Sequence, residues 1–316
     1  MWCINSYLGR KNMSKTILIT GANGLIGKAL TQTLTQSGYK VHILSRSKMH
    51  PPNKNVDAFQ WNVSKEQIDS ECIKGVDAII HLAGEGIAEQ RWTDTRKKQL
   101  IESRTKSIKL IYSLLEKDTT HQVKTVISAS AIGYYGDRGN ELLTEESTPS
   151  NTFLAQLCVA WENAVQEGKK LHMRTVSMRT GLVLSDQGGA LASMARLTKL
   201  GLGSILSDGT QWVSWIHIED VVQMYVYALE HTTIHGIYNM VAPQPTTNKI
   251  IIKELAQVLK KSLWLPAIPS WILKLVIGEM SALVLDSSRV SADKILSTGF
   301  KFKFKNINSA LECIYL

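Results

Sequence analysis

The sequence is poor in cysteine and has no familiar metal-binding motif. Its four cysteines are scattered without a CxxC pair, and its eight histidines show no HExxH or other paired spacing. A disulfide framework and a zinc site are therefore not expected. Low cysteine use of this kind is typical of a reducing compartment, so we expect a cytoplasmic protein without a bound metal.

Long uninterrupted apolar runs are also missing. Only the stretch IPSWILKLVIGEMSALVL, residues 268–285, suggests a membrane, and Pro269, Lys274 and Glu279 interrupt it. A buried or groove-lining helix is favoured there over a membrane span. Residues 1–12 have no signal-peptide run, so they are interpreted as a disordered extension or as the product of a mis-set start codon.

Acidic residues are outnumbered, because 36 basic against 27 acidic side chains give a net charge of +9. This charge favours anionic partners such as nucleotides or phosphorylated metabolites, although dispersed charges are equally typical of an ordinary basic surface. The alternation FKFKFK, residues 300–305, predicts a half-buried strand with Phe on one face and Lys on the other. Neither nucleic acid nor a membrane is an expected partner.

The sequence does contain an alternation of short β-branched runs and longer helical patterns. Helices are predicted after the first strand, at 93–117 and from 153 onward. The order implies right-handed crossovers and a doubly wound α/β fold, which is a parallel Rossmann sheet with a smaller C-terminal α/β substrate lobe. Strands are predicted at 15–20, 40–45, 57–62, 77–83, 123–130 and 173–184.

These patterns divide the chain into three parts. From about residue 185 the regular order loosens into helices and isolated short strands. We expect the extension at 1–12, an NADP-binding Rossmann domain at 13–184, and the substrate lobe at 185–316, from which 212–242 returns to the Rossmann domain.

The motif TGANGLIG follows the first predicted strand and opens a helix. Its glycines allow a pyrophosphate to approach the backbone, and the helix N-terminus offers free N–H groups and a positive dipole end. The motif alone is weak, but its position in a βαβ unit favours dinucleotide binding over a merely structural turn. The predicted cofactor-binding residues of this turn are Gly21, Asn23, Gly24, Leu25, Ile26 and Gly27.

The residues after the second predicted strand indicate which dinucleotide is bound. An NAD enzyme usually carries a carboxylate there, whereas this sequence has Ser45-Arg46-Ser47-Lys48. A guanidinium can pair with a 2′-phosphate that a carboxylate would repel, so Arg46 favours NADP(H). A solvated basic turn is the alternative.

Later strand ends add further candidate cofactor-binding residues. Asn62 follows the third strand and is expected to border the adenine. Leu82, Ala83 and Gly84 end the fourth strand, where small residues allow close approach to the cofactor ribose. A tight exit from the strand explains them nearly as well.

Taken together, the motifs resemble the extended branch of the short-chain dehydrogenase/reductase superfamily, which contains nucleotide-sugar epimerases and dehydratases. The chain is most similar to an atypical family of that branch, labelled epimerase-family or cell-division-inhibitor-like proteins. The resemblance implies a nicotinamide-cofactor fold with a C-terminal substrate lobe. It rests on TGANGLIG, HLAGEGIAEQRWTDTRKKQLIESRT, SASAIGYYGDRGNELLTEES, FLAQLCVAWE, RTGLVL, GGALASM, QWVSWIHIEDV, YNMVAPQPTTN and GFKFKF.

One feature of the extended branch is missing. Its members carry Tyr-x-x-x-Lys on the helix after the fifth strand, with Glu four residues beyond the lysine. Counting back from Glu162 places Leu154 at the tyrosine position and Cys158 at the lysine position. Leu154 has no proton to donate, and loss of a general acid or base typically costs about 10²- to 10⁴-fold in rate. Cys158 is interpreted as packing.

Four other residues are candidates for the missing chemistry. The resemblance places Ser130 where a serine hydrogen-bonds the substrate oxygen, and Tyr134 and Tyr135 follow it. Tyr134 is the favoured proton donor, although both tyrosines fit the role of half-buried loop anchors. Glu85 follows the fourth strand and would be a plausible base if it were desolvated.

Four residues from three parts of the chain are candidates for substrate binding. Arg91 and Trp92 follow the fourth strand, Arg179 lies near the end of the sixth, and Arg289 lies where extended members often place a phosphate-binding arginine. Converging guanidinium groups suit a diphosphate or a carboxylate, so a small anionic substrate is expected. Surface salt bridges are the alternative for each arginine.

Two functions from different classes therefore remain. The first is an NADP-dependent oxidoreductase or epimerase that acts on a small anionic, nucleotide-sugar-like substrate. The second is a catalytically silent protein that senses NADPH for a partner. A homodimer through the helices at 93–117 and 150–168 is possible in either case.

Overall fold

The computed structural model describes residues 15–47, 50–51 and 53–316. The expected extension at 1–12 and Lys48 lie outside this range. The strands are β1 Thr16–Thr20, β2 Lys40–Ser45, β3 Val56–Asn62, β4 Gln67–Ile68, β5 Val76–His81, β6 Thr125–Ala131, β7 Leu142–Leu143, β8 Arg174–Thr180, β9 Leu182–Leu184, β10 Trp212–Val213, β11 Trp215–His217, β12 Gly236–Met240, β13 Thr246–Thr247 and β14 Arg289–Val290.

Ten α-helices separate or follow these strands among the described residues. They are α1 Leu25–Gln36, α2 Asp94–Lys117, α3 Phe153–Gln166, α4 Gly189–Lys199, α5 Ile218–Glu230, α6 Asn248–Val258, α7 Ser270–Ile277, α8 Ala282–Leu285, α9 Asp293–Ser297 and α10 Ile307–Tyr315. Short 3₁₀ helices occur at Val63–Lys65, Ser70–Ile73, Ile132–Tyr134, Glu167–Leu171 and Gly278–Ser281.

The main sheet has eight strands in the order β12-β8-β6-β5-β1-β2-β3-β4, and all neighbours are parallel except β3 and β4. From β1 the chain forms β2 and β3 on one side of β1. It then crosses over and forms β5 and β6 on the other side. This arrangement confirms the doubly wound fold. The order reverses between β1 and β5, and the crevice outside the carboxyl ends of the strands at such a point is the usual ligand site of these sheets.

Burial on both faces explains why the central strands are continuously apolar. All five residues of β1 are buried. Leu30 and Leu34 of α1 pack with α5 on one face, while Leu157 of α3 packs with Ile108 of α2 on the other. Full burial of one such leucine or isoleucine side chain contributes about 1.5–3 kcal/mol, so the two helix layers anchor the crevice.

The sequence predicted one strand over 173–184, but the structure has two. Gly181 separates β8 from β9, and a Cβ there would lie 2.4 Å from the Ser214 carbonyl oxygen. The close approach turns β9 out of the main sheet to pair with β11, while β12 pairs with β8. Of the segment expected to return to the Rossmann domain, only β12 joins the main sheet. The domain bounds remain a prediction.

The segment at 300–305 has the predicted alternation but is not a strand. Phe300, Phe302 and Phe304 are buried. The N–H groups of Lys303 and Phe304 donate to the Asp220 carboxylate at 2.8 and 3.0 Å. The strand prediction is wrong because a buried side chain takes the place of a neighbouring strand. Desolvation raises the pKa of Asp220 to about 6.

The apolar stretch at 268–285 is more exposed than predicted. Trp271 and Leu275 of α7 are 65% and 74% exposed, and α7 has no buried residue. Gly278 ends the helix with φ +61° and is followed by a 3₁₀ turn. No helix in the described part of the chain is long and apolar enough to cross a membrane.

Candidate functional site

The glycine-rich turn lies directly against the end of β5. Gly21 has φ +71°, and a Cβ there would lie 2.7 Å from the Leu82 carbonyl oxygen. A Cβ at Gly27 would lie 2.2 Å from the Gly21 carbonyl oxygen. Gly24 caps α1 without a side-chain hydrogen bond, which leaves the first N–H groups of the helix available. The turn therefore has the form of an anion site, and Asn23, Leu25 and Ile26 lie in it.

A buried chain of hydrogen bonds ties the turn to its neighbours. Thr20 Oγ1 accepts the N–H groups of Leu82 and Ala83, each at 3.1 Å, and lies 2.9 Å from His81 Nδ1. Because that oxygen already accepts two donors, its own proton is assigned to Nδ1, which places the imidazole proton on Nε2. Desolvation lowers the pKa of His81 to about 4. A neutral histidine thus holds β1 and β5 together.

On the other side of the turn, Arg46 is exposed just beyond β2, the strand adjacent to β1. It makes no ion pair with any described residue, so its guanidinium is open to a ligand. Asn62 behaves differently, because its Oδ1 accepts from Lys65 N at 3.1 Å and from Ser64 Oγ at 2.8 Å. That oxygen caps a 3₁₀ helix, and the predicted role of Asn62 at the adenine gains no support.

Gly84 is small for a reason that the sequence did not reveal. A Cβ there would lie 3.0 Å from Cζ of Arg104, whose guanidinium comes in from α2. Arg104 Nη2 donates to the Glu85 carbonyl oxygen at 2.9 Å. The space left by Gly84 therefore admits a cation of the protein itself.

From the sequence, Glu85 is a candidate base on the condition that its carboxylate is desolvated. Its carboxylate instead pairs with Arg96, and its side chain is 39% exposed. Arg96 Nη2 also donates to the Gly86 carbonyl oxygen at 3.0 Å. A partly exposed carboxylate with a guanidinium partner lacks the environment on which that prediction depended, so the structure does not favour Glu85 as the base.

Ser130 and Arg179 meet at one buried carboxylate, that of Glu162 on α3. Ser130 Oγ donates to Glu162 Oε1 at 2.7 Å, and Arg179 binds both carboxylate oxygens at 2.8 and 2.9 Å. All three residues are at most 5% exposed. The predicted substrate-binding role of Arg179 is not supported, because its guanidinium is already engaged by a protein carboxylate. The proton of Ser130 is likewise directed into the protein.

The two tyrosines after Ser130 have different environments. Tyr135 is fully buried, and its hydroxyl donates to Asn239 Oδ1 at 2.6 Å and accepts from Arg179 Nη1 at 3.0 Å. Desolvation raises the pKa of Tyr135 to about 12. Tyr134 is only partly buried, its ring lies 3.4 Å from Arg179 Cζ, and it borders a cavity of about 440 Å³. Tyr135 is an anchor, whereas Tyr134 is accessible from this cavity, whose lining includes no residue of the glycine turn or of the end of β5.

The helix that lacks the dyad has its usual place. Leu154 lies in the first turn of α3 and packs near Gly133, where an added Cβ would lie 3.2 Å from that of Leu154. Cys158 is 1% exposed, and its Sγ donates to the Ala131 carbonyl oxygen at 3.5 Å. Burial raises the pKa of the Cys158 thiol to about 12. The interpretation of Cys158 as packing agrees with these contacts.

The remaining predicted substrate residues make separate contacts within the protein. Arg91 Nη2 donates to the Val276 carbonyl oxygen of α7 at 2.6 Å. Trp92 packs edge-on against Phe153, with ring centroids 5.1 Å apart. Arg289 lies over the Trp212 ring at 4.9 Å. The contacts do not join these residues into one cluster, and their substrate roles remain predictions.

Three side chains of metal-ligand type, His217, Glu219 and Cys313, have ligand atoms within 4.8 Å of one another. His217 Nδ1 accepts the N–H of Glu219 at 3.2 Å and thereby caps α5. The Glu219 carboxylate binds Lys303 Nζ at 2.6 Å. Both groups are engaged within the protein, and the absence of a metal remains a prediction.

Residues 17–240 match the NAD dependent epimerase/dehydratase family, and residues 268–314 match a domain of unknown function, DUF1731. The chain belongs to the NAD dependent epimerase/dehydratase family. The resemblance to an atypical epimerase family is confirmed, since epimerase family protein YfhF of Bacillus subtilis (strain 168) is 36% identical over 296 residues, which cover 93% of this chain and 96% of that protein.

Two solved structures match this family member over nearly its whole length. Human epimerase family protein SDR39U1 (isoform 2) with NADPH has a TM-score of 0.82 at 28% identity, covering 95% of this chain and 99% of that one. The nucleoside-diphosphate sugar epimerase from Corynebacterium glutamicum has a TM-score of 0.77 at 33% identity, covering 96% of this chain and 59% of that one.

The crevice of this family member fits a nicotinamide dinucleotide. Gly21 and Gly27 form a cradle that a Cβ would fill, and the α1 N-terminus above it carries no side-chain cap. Sequence reasoning missed the contributions of Thr20, His81 and Arg104. A polar residue at the end of an otherwise apolar strand was the available signal for the first two, and Gly84 was the signal for the third.

Proposed function

We propose that the chain binds NADP(H) and is an NADP-dependent oxidoreductase or epimerase of the short-chain dehydrogenase/reductase superfamily. The single observation that carries this proposal is the uncapped glycine turn with the exposed Arg46 beside it. The turn suits a pyrophosphate, and a guanidinium without a carboxylate partner suits the 2′-phosphate that distinguishes NADP from NAD.

The names of the relatives support both the cofactor and the substrate class. The human structural relative was solved with NADPH, and the Corynebacterium relative is named a nucleoside-diphosphate sugar epimerase. A small anionic, nucleotide-sugar-like substrate agrees with these names. Arg91 and Arg289 are retained as its proposed binding residues, together with Trp92, which follows Arg91 in the chain.

The bound nicotinamide would supply or accept a hydride in such a site. The protein must then supply or remove a proton at the reacting oxygen, and Tyr134 is the proposed donor. Leu154 offers no proton, and Ser130 directs its own into Glu162. Arg179 fixes the Tyr134 ring by stacking on its face at 3.4 Å. The partly buried phenol therefore combines accessibility with a defined orientation.

The turnover of NADPH tests this mechanism. Wild-type protein should bind NADPH at least tenfold more tightly than NADH and oxidise it with at least one member of a panel of carbonyls and nucleotide sugars. Tyr134→Phe should lower that rate about 10²-fold or more with unchanged NADPH affinity. Leu154→Ala, a control at the tyrosine position of the family pattern, should retain the rate. Equal rates in Tyr134→Phe and wild type would exclude Tyr134 as donor.

A catalytically silent NADPH sensor is the second candidate, and the observations that favour it are Leu154 and the buried Cys158 at the dyad positions. Such a protein would retain the cofactor crevice for binding alone. Tight NADPH binding with no oxidation by any member of the panel, in the presence of a fully folded protein, would select this function over the enzyme.

A further inference from the structure

Helix α2 carries two buried arginines, and only one of them forms an ion pair. Arg96 and Arg104 are 6% and 8% exposed. Arg96 pairs with Glu85. In the part of the chain that the structure describes, no carboxylate oxygen lies within 4.0 Å of the Arg104 guanidinium, and its Nε has no acceptor. Burying an uncompensated cation is costly, so this position calls for a functional reason.

Neutral groups of the protein surround the Arg104 guanidinium. Its nitrogens donate to the carbonyl oxygens of Leu100 and Glu85 at 2.8 and 2.9 Å, and to Ser103 Oγ at 3.4 Å. Its Cζ lies 5.1 Å from the ring of Trp161. None of these direct contacts is to a carboxylate, and the charge of Glu85 acts on the guanidinium only from beyond ion-pair distance. The guanidinium therefore keeps positive charge available to a ligand of the crevice.

The guanidinium also lies beside the position where the family pattern has a lysine. Trp161, beneath it, is three residues beyond Cys158 and lies on the same face of α3. Burial raises the pKa of the Cys158 thiol, and nearby Arg104 opposes that rise. Arg104 approaches the crevice from α2 through the space that Gly84 leaves open. The cation missing from α3 thus has a counterpart on the adjacent helix.

We propose that Arg104 is a cofactor-binding residue that supplies, from α2, the positive charge that a lysine at position 158 supplies in the family pattern. This inference rests on the proposed binding of NADP(H). The strand order β2-β1-β5-β6 places Arg46 on one side of the α1 N-terminus and Arg104 on the other. Arg46 therefore serves the adenine half of the dinucleotide, and Arg104 serves the nicotinamide half.

An arginine suits this buried position better than a lysine would. A guanidinium is delocalised and weakly hydrated, so it tolerates burial better than an ammonium does. Burial lowers the pKa of Arg104 to about 10, which leaves the side chain cationic at neutral pH. Gly84 gives the guanidinium room, because a Cβ there would lie about 3.0 Å from Arg104 Cζ and the arginine would have to shift.

The test measures the dissociation constants of two ligands for the full chain. NADPH spans both halves of the crevice, whereas 2′,5′-ADP occupies only the adenine half. Arg104→Met should weaken NADPH binding at least tenfold and change 2′,5′-ADP binding less than twofold. Arg46→Ala, the matched control, should weaken both ligands. Equal weakening of both ligands by Arg104→Met, or no weakening of either, would overturn the assignment.

A rescue variant separates a charge effect from a general structural effect. The double variant Arg104→Met/Cys158→Lys restores a cation at the lysine position of the family pattern, and it should recover NADPH affinity to within threefold of wild type. If Arg104→Met alone does not fold, the ligand affinities of the double variant still test the proposal. A folded double variant that binds 2′,5′-ADP but binds NADPH at least tenfold more weakly than wild type would contradict the proposal. Wild-type protein that binds neither ligand would instead overturn the proposed function.

Discussion

The two halves of the crevice use their polar groups in opposite ways. On the side of β1 and β2, the N–H groups of the glycine turn have no side-chain cap, and Arg46 has no described ion-pair partner. On the side of β6 and β8, Glu162 and Arg179 bind each other, and Ser130 donates to the same carboxylate. The polar groups of the first half are free to bind a ligand. Most polar groups of the second half bind one another and stabilise the fold.

This difference shows which half of the crevice keeps its polar groups free for a ligand. A cofactor half needs free donors whose positions the backbone fixes, and the structure has them. In the half around α3, the charged side chains bind one another, and Arg104 is the exception. Tyr134 in the same half also remains accessible. Changes in the closed network should therefore act on folding, whereas changes in the open turn should act on ligand binding.

The largest effect is expected from Arg179→Met, which would leave the Glu162 carboxylate buried beside Ser130 alone. Loss of one partner of a buried ion pair typically costs about 3–5 kcal/mol in the free energy of unfolding. The measurement is urea unfolding followed by fluorescence. In the fraction that stays folded, 2′,5′-ADP binding should equal that of wild type, because the adenine half does not depend on the network.

The double variant Glu162→Leu/Arg179→Met is the control, since it removes both charges and leaves neither unpaired. It should recover most of the lost stability, because apolar replacements of a whole buried pair are often neutral or stabilising. A cost below about 1 kcal/mol for Arg179→Met would show that the pair behaves like an exposed one and that this half of the crevice is open after all.

The sequence predicted the open half of the crevice far better than the closed half. The bounds of β1, β2 and α1 follow from local patterns in the sequence. The spacing of apolar residues, the spacing of glycines and the apolar runs of buried strands all depend on residues close together in the chain. The network of Glu162 and Arg179 joins residues 17 positions apart, and Arg104 meets Gly84 across 20 positions. Such pairs depend on packing between elements, which local spacing does not reveal. For the same reason the alternation at 300–305 was found while its partner, Asp220, was not.

His81 connects the two halves, and its protonation should weaken that connection. The folded pKa of about 4 lies below the ordinary value of 6.5, so its contribution to stability is complete above pH 6.5 and is lost as the pH falls toward 4. The loss should reach about 3 kcal/mol in the free energy of unfolding. It is measured as the difference between wild type and His81→Asn, whose Oδ1 retains the acceptor for Thr20. Parallel pH profiles of the two proteins would exclude His81 as the source.

The smallest and most local effect is expected at the turn itself. Gly21→Ala places a Cβ 2.7 Å from the Leu82 carbonyl oxygen at φ +71°, so the turn must move away from β5. NADPH affinity should fall at least tenfold, or about 1.4 kcal/mol. Gly38→Ala is the matched control, because Gly38 also has positive φ, +87°, but an added Cβ would meet nothing within 4 Å. It carries the same kind of backbone strain without the clash, so its NADPH affinity should stay near that of wild type. Equal losses in both variants would mean that general strain, and not the position of the turn against β5, controls binding in the open half.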